Sequence, residues 1–111
     1  MAILTRNERG AVVVAVSGRL DAVTAPEFEA ALNTSILQGN LRYVVDLDGL
    51  EYISSAGLRG ILVIAKLLRG KGGLLRFANV RGAVREVFDI SGFCSILTID
   101  ESVDVALDGL A

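Results

Sequence analysis

The chain has 111 residues, of which 52% are hydrophobic and 22% are charged, and its net charge is -2. That balance supports a packed core, argues against disorder and provides no strong basic field for nucleic acid. The sequence contains no histidine and one cysteine, which excludes an internal disulfide, a Cys/His metal site and a histidine-based catalytic mechanism.

No stretch of the sequence has the pattern of a signal peptide or a membrane span. The opening residues, MAILTRNERG, do not place a basic start before a long apolar segment. Arg59 and Lys66 interrupt the longest apolar stretch, which is too short to cross a bilayer. We therefore expect a single cytoplasmic domain over residues 1–111, without cofactor and without membrane insertion.

The first half of the chain predicts a hairpin, a helix and a strand. The strands AILTRNE and AVVVAVSG flank a charged turn, and residues 12–16 are so apolar that we expect both faces of that strand to be covered. Thr24 and Glu27 have the spacing of a capping box, and Pro26 falls in the first turn of the helix that follows. The next run, LRYVVDL, predicts a strand ending at Asp46.

The second half alternates helices and strands. Residues 55–70 predict a helix whose inward stripe is formed by Leu58, Ile61, Leu62, Ala65 and Leu68. A strand at 74–79, a helix at 80–91, a strand at 95–99 and a terminal helix from Asp100 follow. Because helices alternate with strands after the hairpin, the pattern predicts an α/β fold with a mixed, mainly parallel sheet of four to five strands against about four helices.

The stretch YISSAGL, residues 52–58, places two hydroxyls at a strand–helix junction. Ser55 falls at or near the helix N-cap, where a serine oxygen accepts a hydrogen bond from a free N–H of the first turn. One cap is sufficient, however, and the second hydroxyl leaves a phosphorylation switch open as the alternative. A helix N-terminus tolerates the added negative charge, whereas a partner that buries this spot would meet an anion.

The segment VVDLDGLEYISSAGLRGILVIAKLL resembles the signature of the STAS domain, the sulfate-transporter and anti-sigma-factor-antagonist domain. The earlier passage VSGRLDAVTAPEFEAAL is similar to the first strand-to-helix passage of that family, and the order of elements agrees along nearly the whole chain. Within the family, the chain resembles the stand-alone bacterial anti-sigma factor antagonists.

This resemblance implies a partner-switching role without catalysis. Such an antagonist binds a cytoplasmic serine kinase that acts as an anti-sigma factor, is released when the kinase phosphorylates it, and is restored by a metal-dependent phosphatase. The usual motif, Asp-Ser-Ser/Thr-Gly-Leu, aligns on Gly57 and Leu58 and places the phosphoacceptor at Ser55. Ser54 then stands in place of the aspartate and is a second candidate, and Ala56 replaces the second hydroxyl residue.

The resemblance also implies a partner-facing surface around this junction. Gly18 and Asp21 match the family's Gly-x-Leu-Asp element, whose loop contributes to that surface, although Asp21 alone is also typical of a turn. On the helix, Val63 and Leu67 are predicted to point outward and to form a docking surface. The predicted partner-binding residues are Gly18, Asp21, Ser54, Ser55, Ala56, Gly57, Arg59, Gly60, Val63 and Leu67.

Two other functions are weighed against this one. Some members of the family are non-phosphorylated subunits, for example cytoplasmic partners of a lipid-transport ATPase, and the Ser54 and Ala56 departures are compatible with that role. An aspartyl-phosphate receiver domain would also place an aspartate at a strand end, as Asp46 does. A receiver domain requires an acidic pair after its first strand and a lysine after its last strand. Here the only lysines, Lys66 and Lys71, lie before the last predicted strand.

Overall fold

A computed structural model describes all residues, 1–111, as alternating strands and helices. The six strands are β1 (Ala2–Glu8), β2 (Ala11–Leu20), β3 (Arg42–Asp46), β4 (Leu50–Ile53), β5 (Leu74–Ala78) and β6 (Thr98–Asp100). The helices are α1 (Ala25–Leu37), α2 (Ser55–Gly70), α3 (Gly82–Ser91) and α4 (Val103–Leu110), and a short 3₁₀ turn spans Phe93–Ser95. None of these helices has both the length and the apolar character needed to cross a membrane.

The strands form one mixed sheet in the order β1-β2-β3-β5-β6. β1 pairs antiparallel with β2, and the other pairings along the path are parallel. The last residues of β2 leave β3 and pair in parallel with β4, with a register shift between Gly18 and Arg19. The predicted α/β class and mainly parallel sheet are confirmed. Strand β4 is an addition that the sequence pattern did not predict.

Alternate residues of the central strands supply two separate cores, as the period of two along a strand requires. The larger core lies beneath α1, α2 and α3 and takes Val12, Val14, Tyr43, Val45 and Phe77 from the sheet. The smaller core lies beneath α4 alone and takes Ala11, Val13, Val44 and Ala78. Both faces of β2 are therefore covered, as its uninterrupted apolar run predicts.

Three local predictions about the fold were wrong. The terminal helix begins at Val103 and not at Asp100, which is the last residue of β6. Thr24 precedes α1 but its backbone is already helical, and its side chain makes no capping hydrogen bond to the helix, so the capping box with Glu27 does not form. The last strand begins at Thr98 instead of Ser95, because Phe93–Ser95 forms the 3₁₀ turn that closes α3 onto the core. Phe93 packs edge-to-face on Phe88, which fixes that turn in place.

Candidate functional site

The junction between β4 and α2 assigns different tasks to the two serines. Ser54 is the N-cap of α2: its backbone is extended, and its Oγ accepts a hydrogen bond from the Gly57 N–H at 3.2 Å. Ser55 is the first helical residue, one position later than the cap. The serine that replaces the family's aspartate therefore does the capping work that an aspartate would do.

Ser55 is exposed at the start of α2, and its hydroxyl is not engaged in the capping bond. At this position the free N–H groups of the first turn and the positive end of the helix dipole favour a nearby anion. A phosphate on Ser55 would therefore be accommodated without disturbing the cap made by Ser54. Of the two predicted candidates, Ser55 is the exposed residue and Ser54 is the one that makes the cap.

The start of α2 is held against the end of β2 by backbone contacts. The Ser54 N–H donates to the Leu20 carbonyl at 3.0 Å. A Cβ on Gly57 would overlap that same carbonyl oxygen and lie 3.0 Å from Ile53 Cγ1, so only glycine allows this approach. The serine pair is therefore carried on a rigid strand–helix contact, which suits a site that must be presented in one geometry.

Gly57 and Gly60 are buried, although both were predicted to bind the partner. A Cβ on Gly60 would lie 3.3 Å from a Glu29 carboxylate oxygen and 3.4 Å from the Ala25 Cβ, so this glycine lets α1 pack closely on α2. Neither glycine offers a side chain to a partner. Their contribution to any partner surface is the positioning of α2 and not direct contact.

The loop between β2 and α1 lies at the same edge of the sheet as Ser55. Gly18 has a positive φ of 86°, which favours glycine, and its N–H donates to the Gly49 carbonyl at 3.0 Å. Asp21 Oδ1 accepts from the Val23 and Thr24 N–H groups at 3.0 and 3.2 Å, which closes a turn of the kind aspartate favours. Thr24 Oγ1 in turn donates to the Arg19 carbonyl at 2.8 Å.

These contacts set the charge state of Asp21. The hydrogen bond from the Thr24 N–H is the largest influence on the pKa of Asp21 and lowers it. Desolvation is next and opposes it, and the hydrogen bonds from the Val23 N–H and the Thr24 hydroxyl, with the nearby Arg19 guanidinium, leave the pKa below its ordinary value. Asp21 is therefore ionised at neutral pH, and its carboxylate organises the loop.

The predicted docking residues on α2 differ in exposure. Val63 is 45% exposed, as predicted, whereas Leu67 is half-buried and packs against the larger core. Together with Glu29, Ala30 and Asn33 they line a groove of about 300 Å³ between α1 and α2. The predicted apolar surface is therefore a shallow groove shared by two helices, and Arg59 lies exposed on the same helix nearer its start.

Three further residues extend the surface near Ser55 and were not predicted. The Arg19 guanidinium stacks on the Tyr52 ring at 4.1 Å from its centroid, where β2 pairs with β4. Val23 is 86% exposed at the tip of the β2–α1 loop. The pairing of Arg19 with Tyr52 could not be found from sequence because β4 itself was not predicted. The sequence did not single out Val23, which follows another apolar residue, Ala22, in the same turn.

Asp46, the candidate acceptor of the receiver-domain alternative, is engaged in structural hydrogen bonds. Its Oδ1 accepts from the Asn79 side-chain amide at 2.9 Å and from the Asp48 N–H at 3.0 Å. The neighbouring charge is Arg81, which pairs with Asp48 at 2.8 Å. No group of three or more His, Cys, Asp or Glu residues has an arrangement that could hold a metal ion. The chain thus lacks the acidic pocket that receiver chemistry needs.

Comparison with known proteins identifies the family of the chain. The profile of the STAS domain family matches residues 2–106. A candidate anti-sigma factor antagonist of Bordetella bronchiseptica, BtrV, is 41% identical over 97 residues, covering 87% of this chain and 84% of its own. The anti-sigma F factor antagonist of Paenibacillus polymyxa is 30% identical over 105 residues, covering 94% and 90%.

Comparison with solved structures identifies the same family. The crystal structure of an anti-sigma factor antagonist from Mycobacterium paratuberculosis superposes with a TM-score of 0.89 at 28% identity, covering 97% of this chain and 92% of that one. The sequence profile, the sequence relatives and the solved structure all point to one family. The chain belongs to the STAS domain family.

Proposed function

We propose that this protein is an anti-sigma factor antagonist in a partner-switching pathway. In its unphosphorylated form it binds a cytoplasmic serine kinase that acts as an anti-sigma factor, and phosphorylation of Ser55 releases it. A metal-dependent phosphatase returns it to the binding state. The observation that carries the proposal is the exposed Ser55 hydroxyl at the first position of α2, beside a cap made by a different serine.

Because Ser54 makes the helix cap and Ser55 does not, phosphorylation of Ser55 is compatible with an unchanged fold. A phosphoserine carries about -1.5 to -2 charges, and the helix N-terminus offsets part of that charge locally. The cap bond to Gly57 belongs to Ser54, so modification of Ser55 breaks no hydrogen bond that holds α2. Phosphorylation therefore changes the charge of the surface, where a partner packed over Ser55 would have to desolvate the new anion.

The surroundings of Ser55 supply the rest of a binding surface. Exposed apolar side chains at Val23, Tyr52 and Val63 lie on the elements that carry or contact the site, and Arg59 adds an exposed cation one turn along α2. Aromatic and arginine side chains of this kind are enriched at interface hot spots. We assign the partner-binding surface to these residues together with Asp21 and Ser54, and assign Gly18, Gly57 and Gly60 to its support.

The proposal is tested with the purified chain, a candidate serine kinase encoded beside it, and Mg-ATP. Intact-mass measurement should show one phosphate on the wild type and on Ser54→Ala, and none on Ser55→Ala. In calorimetric titration with the kinase, Ser55→Ala should bind like the wild type and Ser55→Glu should bind about a hundredfold more weakly, equivalent to about 3 kcal/mol.

Ser55→Asn is the matched control, because it adds polar bulk without charge and should retain most of the affinity. A kinase that binds tightly but transfers no phosphate, together with equal binding of Ser55→Ala and Ser55→Glu, would overturn the switch. That result would assign the chain to the non-phosphorylated subunits of the family.

A further inference from the structure

The basic residues of the chain are distributed unevenly with respect to their ion-pair partners. No acidic residue occurs between Glu51 and Glu86, a span that includes all of α2. Of the 11 basic residues, those without an ion pair are Arg42, Arg59, Lys66, Arg69 and Lys71. Four of these five unpaired cations therefore lie on α2 or at its C-terminal cap, and the fifth, Arg42, lies on β3.

The stabilising effect of cations on a helix explains only part of this clustering of unpaired cations on α2. Arg69 and Lys71 lie at the C-terminal end of α2, where cations interact favourably with the helix dipole. Lys66 lies more than one turn earlier and gains little from that effect. An acidic residue four positions before Lys66 or Arg69 would also stabilise the helix, yet those positions are Leu62 and Ala65. Both positions hold partly buried apolar residues, so α2 has no acid at the positions that would pair with Lys66 and Arg69.

An apolar groove lies directly beside these cations. It runs between the second half of α2 and the chain that leads into β6, and it consists of two adjoining depressions of about 180 and 380 Å³. Both depressions are lined by Ala65, Arg69, Ile96 and Leu97. Ile96 is 54% exposed, and Leu74 on the far side is 46% exposed. Most residues that line the two depressions are therefore hydrophobic, and the charged residues among them, here called the rim, are Lys66 and Arg69.

We propose that this groove is a docking site for an acidic amphipathic helix of a partner protein. The apolar face of such a helix would cover Ile96 and Leu97, and glutamates or aspartates on its flanks would pair with Lys66 and Arg69. A helix fits better than an added strand, because β6 at the sheet edge has only three residues and offers little backbone for pairing. The bound helix is expected to be acidic because the rim residues, Lys66 and Arg69, are positively charged.

The groove is separate from the switch. Arg69 lies fourteen residues after Ser55 on the same helix, or about 21 Å along its axis at 1.5 Å per residue. The proposal therefore does not rest on phosphorylation of Ser55, and a failure of either one leaves the other standing. A protein bound in the groove would nevertheless lie on the helix that presents Ser55.

The probe is a synthetic helical peptide with leucines at i, i+3, i+4 and i+7 and glutamates on both flanks, compared with a twin in which lysines replace the glutamates. Titration into the isotope-labelled chain is followed by amide chemical shifts. The acidic peptide should shift amides in the second half of α2 and in residues 95–98, and the lysine twin should not. Its binding should weaken as salt is raised.

Variants of the rim test the same contact. Lys66→Glu combined with Arg69→Glu should weaken the acidic peptide by about tenfold or more. Ile96→Ser should weaken it with the net charge unchanged. Arg85→Glu is the matched control: it reverses one exposed charge on α3, outside the groove, and should leave the affinity as it is.

Four results would overturn the proposal. They are equal binding of the two peptides, shifts that map elsewhere on the chain, no shift at millimolar peptide, and shifts that follow protein concentration without any peptide. The last result would assign the groove to contact between copies of this chain.

Discussion

Replacing each serine of the YISSAGL stretch by alanine should separate structural from signalling chemistry. Ser54→Ala removes the cap bond to the Gly57 N–H, which is one of the first-turn donors that has no partner within the helix. Loss of a serine cap typically costs about 1 kcal/mol of unfolding free energy. Because the bond is 3.2 Å long, at the upper end of the usual range, we expect about 1 kcal/mol and no more.

Ser55→Ala removes an exposed hydroxyl that makes no capping bond, so its effect on the unfolding free energy should stay within about 0.5 kcal/mol. For a domain of this size, the Ser54→Ala loss corresponds to a fall in Tm of about 4–6 °C. Calorimetry or circular dichroism of both variants, alongside the kinase assay described above, makes the comparison. A larger loss of stability for Ser55→Ala than for Ser54→Ala would refute the assignment of the cap and, with it, the choice of acceptor.

Other positions give sharp expectations. In denaturant titration, Gly57→Ala should lower the unfolding free energy by about 1–3 kcal/mol, because overpacking against the Leu20 carbonyl outweighs the gain in helix propensity. Gly70→Ala should be neutral or slightly stabilising in the same titration, because the space around its Cα is open. Val63→Glu should weaken kinase binding while leaving the circular dichroism spectrum unchanged, and loss of folded protein would instead identify the position as core. The folded-state pKa of Asp21 is lowered, so its stabilising contribution is present above the unfolded-state pKa and is lost as pH falls through the folded one. The stability difference between wild type and Asp21→Asn should therefore be full at neutral pH, begin to fall near the unfolded-state pKa of about 4, and disappear only below the lowered folded-state pKa. A difference that persisted undiminished in strong acid would contradict the role given to the carboxylate.

Sequence pattern was sufficient for the fold class because long elements with clear periodicity dominate this chain. It failed for β4, whose four residues lie between a turn and a helix cap and are too few to show a period. That strand forms because Gly18 shifts the register of β2 and frees its last residues to find a second partner. A contact of this kind is tertiary, and no local window of the sequence contains it.

The sequence pattern predicted the start of α2 but not which of its side chains are buried. The helical stripe placed Leu62 and Ala65 inward, whereas Ile64 is buried and those two are half-exposed, because α1 packs on one side of α2 and rotates the buried arc toward itself. The same packing half-buries Leu67. Serine propensity identified the cap region, yet it could not choose between two adjacent serines, since that choice depends on where β4 ends.

The unequal cover of the two sheet faces has a consequence for how the molecule opens. One face is protected by three helices, while the other depends on the eight residues of α4. That helix is tied down by Asp104 and Asp108 pairing with Arg9, and by Gly109, which leaves room for the Arg76 guanidinium. If α4 detaches, a β surface lined by valine and alanine becomes exposed to solvent, and exposed apolar surfaces of this kind promote aggregation. Storage and handling of the protein should therefore be governed by its last two helical turns, on the opposite face of the sheet from α1, α2 and α3.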